Sequence, residues 1–264
     1  MHYDATTTLI FGEVPPYYFF TGIGFVFAAS IFILLLLRYD YDLQRYTRIF
    51  LLSAISLLIG GKIFGYLAAI YGAVGTNTPI TVETFHYDGM GLVFYGGMLG
   101  FLFTFVLLCK MFDKQVNYNI VDLAVISVPL FHIWGRLSCF FAGCCFGAET
   151  TSSFSILYTT YIDDEIVTAS RIPIQLVEVG FNVAIAFCLI KLLNYPQFRG
   201  RLLFVYLGAY AVVRSTLEFF RADMERGLWA GVSFSQFVSI IVLTGLAATY
   251  IILKKSQKNA HETA

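Results

Sequence analysis

An all-α bundle of about seven membrane-spanning helices is the fold class this sequence predicts, and three observations carry it. Of the 264 residues 58% are hydrophobic and only 13% are charged, whereas an ordinary soluble domain is roughly a quarter charged. Apolar runs of about 20 residues, the length that crosses a hydrocarbon core, recur along the whole chain, in keeping with a mean hydropathy of +0.74. The longest polar stretches, about Gly72–Gly91 and Phe146–Ile172, are too short for an attached soluble domain. A single integral membrane domain over 1–264 is therefore expected. The 17 Lys+Arg and 17 Asp+Glu cancel, which excludes the basic surplus that a nucleic-acid partner requires.

The segment Met1–Pro16 has no Lys or Arg but carries Asp4 and Glu13, unlike the basic start of a cleavable signal, so it reads as part of the working chain. The spans then read in order as Tyr17–Leu37, Ile49–Ile70, Leu92–Cys109, Ile120–Ala142, Pro173–Leu193, Leu202–Phe220 and Val232–Leu253. Seven crossings put the termini on opposite sides. Lys and Arg beside spans stay cytoplasmic. The first, third and fifth connections and the C-terminal tail hold eleven of them (Arg38, Arg45, Arg48, Lys110, Lys114, Lys191, Arg199, Arg201, Lys254, Lys255, Lys258), and the other side holds Arg171, Arg221 and Arg226. The N-terminus is expected outside and the C-terminus inside. The connection Ala148–Ser170 reads either as a small extracytoplasmic cap or as a solvated link.

Lys62, Arg136 and Arg214 fall within or at the ends of spans, where an ionisable group is paired, faces a water-filled cavity, or is functional. Arg214, Glu218 and Arg221 are spaced i, i+4 and i+7, so a continuous helix would put the carboxylate between two guanidiniums on one face. Small residues, Ser138, Ala142 and Gly143, follow Arg136, and Gln175 shares a face with Glu178. The plainest reading of Arg214 and Glu218 is an intrahelical ion pair, with Arg221 snorkelling to the headgroups. The functional reading is an anion site near the outer leaflet, its guanidiniums forked onto phosphate oxygens of a lipid headgroup.

The order of motifs resembles the prolipoprotein diacylglyceryl transferases of bacterial cytoplasmic membranes over nearly the whole chain. The pieces are Tyr17 with Gly24-Phe25, the segment Gly60–Tyr66, the glycine-rich Gly91–Gly100, Asp122, Gly135–Gly143, Arg171–Glu178, Arg214 through Arg221, and Ser233–Gln236. The resemblance implies a multi-pass enzyme whose active site faces the outer leaflet. It implies transfer of the diacylglyceryl group of phosphatidylglycerol to the lipobox cysteine of a prolipoprotein, with release of glycerol phosphate and formation of a thioether. Arg136 and Arg214 match the family's two important arginines and are assigned to the phosphate, while Glu218 orients Arg214 and Tyr17 hydrogen-bonds the headgroup. Tyr95 stands where the family commonly has a histidine and is the candidate base. Lys62, in place of a usual arginine, with Gly96, Gly97, Gln175, Glu178 and Arg221, completes the substrate-binding set.

No cofactor is implied and no metal is expected. Cys109 and Cys188 read as buried packing residues. For Cys139, Cys144 and Cys145, packing or a disulfide stands ahead of a zinc set completed by His132. Three other readings use the same residues. The donor lipid is kept and a glycerol-phosphate unit passes to a surface glycan, an acyl group passes through a cysteine thioester, or the chain is a non-enzymatic lipid transporter.

Overall fold

In the computed structural model residues 7–9, 12–14, 16–81, 93–113, 117–162, 165–222 and 228–262 are described. Gly91, Leu92, Lys114, Asp163, Asp164 and Arg226 lie outside them, as do residues 1–6. Seven α-helices dominate among the described residues: α1 Pro16–Arg38, α2 Leu43–Thr76, α3 Phe94–Phe112, α4 Tyr118–Phe141, α5 Ile174–Leu192, α6 Leu202–Glu218 and α7 Phe234–Glu262. Among the described residues, six of them are long and apolar enough to cross a membrane. The chain is a multi-pass membrane protein of the all-α class.

The exception is α6, 17 residues long and ending at Glu218. The sequence suggested a helix running on to Phe220 and carrying Arg221 on the same face. Instead the chain turns at Phe219-Phe220, and Arg221 forms an antiparallel bridge with Gly147. The second helix departs the other way. Its 34 residues rise about 51 Å at 1.5 Å per residue, well beyond the roughly 30 Å hydrocarbon core.

Among the described residues three small antiparallel hairpins accompany the bundle: β1–β2 (Thr7–Leu9, Gly12–Val14), β3–β4 (Ile156–Ile162, Glu165–Arg171) and β5–β6 (Leu228–Trp229, Val232–Ser233). The β3–β4 pair occupies the connection that had read as a cap or a solvated link. Its β-branched and aromatic run Ile156-Leu157-Tyr158-Thr159-Thr160-Tyr161-Ile162 favours a strand. Arg171 anchors its end by pairing with Glu149 at 2.8 Å and lying 4.5 Å over the Phe146 ring.

Helix association in lipid depends on close backbone approach, because the solvent is as apolar as the side chains. Gly60 of α2 faces Gly96 of α3, and Gly97 and Gly100 face the Leu57 and Ser56 carbonyls. A Cβ at Gly97 would come within 2.7 Å of the Leu57 oxygen. Gly96 and Gly97 thus hold the α2–α3 crossing. Gly96→Ala is expected to push the helices apart at a cost of about 1–3 kcal/mol, read as a lower thermal midpoint of the detergent-solubilised protein. At the opposite end, Asp122 accepts hydrogen bonds from the backbone N–H of Gly200 and Leu202. It supplies the cap that the first turn of α6 lacks in its own sequence.

Candidate active site

Four helices each bring two polar side chains, one turn apart, toward the same place. They are His132 and Arg136 of α4, Gln175 and Glu178 of α5, Tyr210 and Arg214 of α6, and Ser235 and Ser239 of α7. Spacings of three or four residues put each pair on one helix face. All eight are buried. The N-terminal turn of α3 adds Phe94 and Tyr95.

Glu178, only 1% exposed, is the hub on one side. Its Oε2 lies 2.9 Å from Arg136 Nε and its Oε1 lies 3.4 Å from His132 Nε2. On the other side Arg214 Nη2 is 2.6 Å from Glu218 Oε2 and donates to Ser235 Oγ at 3.0 Å. Glu218 also comes within 3.9 Å of Arg221 Nε, so the carboxylate does lie between two guanidiniums, although the second approaches from beyond the helix end. Arg214 Nη1 is buried and has no hydrogen-bond partner among the described residues. Buried donors nearly always find partners, so this one is available to an anion.

Arg136 and Arg214 line a pocket together with Phe94, Tyr95, Tyr210, Ser235 and Val93. Tyr95 shares a 2.9 Å hydroxyl–hydroxyl hydrogen bond with Ser239 and sets its ring edge-on to Tyr210. Phe94 also borders a second pocket, whose lining from Phe25, Phe50, Leu57, Met98 and Phe101 is almost wholly apolar. A cationic chamber and an apolar one therefore share a wall. The division is amphipathic, cationic at the guanidiniums and apolar against the aromatics.

The sequence-derived candidates separate accordingly. Arg136, Arg214 and Tyr95 meet in the pocket, and Glu178, Glu218 and Arg221 stand behind the guanidiniums. Gln175 is fully buried, donating to the Cys144 carbonyl at 2.6 Å and accepting from Tyr158 at 3.2 Å. Tyr17 sits at the start of α1, half-buried, within electrostatic reach of Arg136 and of the three neighbouring cysteines. Lys62 is exposed on α2 and is not part of the pocket lining. Cys109 is buried as expected, but Cys188 is exposed on α5 and packs no core. The Sγ atoms of Cys139, Cys144 and Cys145 lie within 4.8 Å of one another.

Tyr210, Ser239 and the structural position of His132 escaped the sequence reading. The His132 ring stacks on Phe94 at 3.5 Å between centroids and makes an edge contact with Tyr210. Its position four residues before Arg136, on the same face, was the available signal.

Fold and site together define a class: a polytopic membrane protein with a buried, arginine-lined pocket beside an apolar one. The profile of one family, prolipoprotein diacylglyceryl transferase, matches residues 7–252. The chain is 31% identical over 257 residues to phosphatidylglycerol–prolipoprotein diacylglyceryl transferase 2 of Clostridium perfringens, covering 96% of this chain and 97% of that one. It is 28% identical over 275 residues to the phosphatidylglycerol–prolipoprotein diacylglyceryl transferase of Campylobacter hominis, with 97% and 93% covered. The Clostridium tetani enzyme of the same name is 31% identical over 189 residues, with 70% and 72% covered. This chain belongs to the prolipoprotein diacylglyceryl transferase family.

Proposed function

We propose that the chain transfers the diacylglyceryl group of phosphatidylglycerol to the lipobox cysteine thiol of a prolipoprotein, with the phosphodiester held between Arg136 and Arg214. The observation that carries this assignment of roles is the shared Phe94 wall between the arginine pocket and the apolar cavity. The acceptor sulfur, its S–H proton lost to solvent, attacks the glyceryl carbon that bears the phosphate ester. The carbon–sulfur bond forms, the carbon–oxygen bond breaks, and glycerol phosphate departs with the electron pair.

Negative charge on the phosphate grows during this step. Guanidiniums already fixed in a water-poor site bind the departing group more tightly than the intact lipid, and that difference lowers the barrier. Glu178 and Ser235 hold the two arginines before substrate arrives, so little reorganisation is left to the reaction itself. Phosphatidylglycerol labelled separately in its acyl chains and its terminal glycerol tests the reading. Acyl label is expected on a lipobox peptide and glycerol label in the aqueous phase. Glycerol label on a glycan acceptor would overturn it.

The orientation proposed with this function places the pocket at the outer leaflet of the cytoplasmic membrane, following the cation bias. An alkaline phosphatase fusion after Asp88 or Asp164 is expected to be active, and one after Lys114 or Lys255 inactive. The reverse pattern would place the pocket on the cytoplasmic side, away from a secreted acceptor.

A further inference from the structure

Three thiols are gathered near Arg136 by the turn that follows the end of α4. Cys139 lies three residues beyond Arg136 on the same face of α4, and Cys144 and Cys145 follow the end of that helix. The chain doubles back because Gly143 and Cys145 adopt left-handed backbone, at φ 66° and 60°. For a residue with a Cβ this conformation is uncommon and persists only where the surroundings hold it. The Cys144 N–H returns to the Cys139 carbonyl at 3.0 Å, and Gln175 fastens the Cys144 carbonyl at 2.6 Å. Three sulfurs consequently lie within 4.8 Å of one another. In a tetrahedral thiolate site with metal–sulfur bonds of about 2.3 Å, sulfurs stand roughly 3.8 Å apart. The thiols therefore need to close by no more than about 1 Å. A disulfide would engage two of them and leave the third without a role, and the negative end of α4 favours a cation at this turn.

The reaction supplies the second argument. It needs the acceptor as a thiolate, and the titratable groups at the pocket are poorly placed to take that proton. The Tyr95 hydroxyl is tied to Ser239, and an ordinary phenol ionises only near 10. The His132 ring is covered by Phe94 and faces Glu178. A thiol that binds a zinc-type ion loses its proton outright. Catalytic zinc sites keep three protein ligands and leave the fourth position for water or substrate.

We propose that Cys139, Cys144 and Cys145 hold a soft divalent cation of the zinc type, and that its fourth position receives the acceptor thiol. The acceptor S–H bond breaks, the sulfur–metal bond forms, and the proton leaves to solvent. The metal-bound sulfur then attacks the glyceryl carbon as glycerol phosphate departs. The product thioether is a weak ligand and dissociates, so no cysteine of the enzyme is alkylated. This inference rests on the reading that the acceptor enters beside Arg136, and it extends the sequence expectation, which set a metal behind packing or a disulfide.

The test uses the full chain in detergent, purified without chelator. Elemental analysis is expected to find about one zinc per chain, removable by a strong chelator and absent from C139S/C144S/C145S. Cobalt(II) in place of zinc is expected to give thiolate-to-cobalt charge-transfer absorption. Its d–d bands should shift on adding a lipobox peptide but not on adding the same peptide with cysteine replaced by serine. A disulfide mapped among the three cysteines in metal-free protein would overturn the proposal, as would a cobalt spectrum indifferent to the peptide. The cobalt measurement on the unaltered chain keeps the test decisive if the triple variant fails to fold. No lipid enters either measurement, so failure here leaves the labelled-lipid result standing. Loss of lipid transfer with an intact cobalt response would instead strike the transferase reading.

Discussion

Replacing Arg214 by lysine is expected to lower the rate of glycerol-phosphate release by about 10²-fold or more, the cost typical of removing one preorganised donor at a developing anion. The charge survives the change but the geometry does not. Arg214 engages Glu218 and Ser235 through Nη2 while Nη1 remains available to an anion, and a single ammonium cannot serve both directions at once. Arg136→Lys is expected to behave alike, because its Nε is committed to Glu178. The discriminating measurement is turnover at saturating phosphatidylglycerol in folded variants. Near-normal turnover in both would reduce the arginines to structural ion pairs.

Truncating Glu178 to alanine is expected to be the most damaging single change to the bundle. The carboxylate is 1% exposed and compensates the Arg136 guanidinium at 2.9 Å. Removing one member of a buried pair leaves the other charge uncompensated, at about 3–5 kcal/mol. The expected outcome is a large fall in thermal midpoint or failure to accumulate in the membrane. Glu178→Gln keeps the volume and an acceptor, so it should retain more of the fold while still losing lipid transfer through a misplaced Arg136. A Glu178→Ala protein with an unchanged midpoint would contradict the assignment of Glu178 as the hub.

How far the sequence led varied with the kind of signal. The helices were legible because apolar length is a direct requirement of the bilayer, and α1 shows this in its simplest form. Arg136, Arg214 and Glu218 were legible for the same reason, since a charge in such surroundings demands a partner. The early end of α6 was not: nothing in Glu218-Phe219-Phe220-Arg221 breaks a helix, and the turn is fixed by the distant pairing of Arg221 with Gly147. The exposure of Lys62 could not be read from the sequence, because charge alone does not tell which helix face turns inward. The resemblance offered Glu178 as a residue that holds the arginines, but its particular partners could not be read from spacing. Its partners, Arg136 and His132, lie on another helix more than forty residues earlier in the chain, and no local spacing encodes that meeting.

The excess length of α2 has a mechanical consequence. Its final turns rise beside the β5–β6 hairpin: Gly75 packs against Leu228 and Trp229, the Tyr71 hydroxyl donates to the Val232 carbonyl, and the Tyr71 ring meets Trp229, Phe234 and Phe237. The first turn of α7 is thus suspended from a stiff post. That turn carries Ser235, which steadies Arg214, and Ser239, one turn on, steadies Tyr95. The height of the first turn of α7, and of the two serines it carries toward the pocket, is thus set by contacts with the protein's own long second helix.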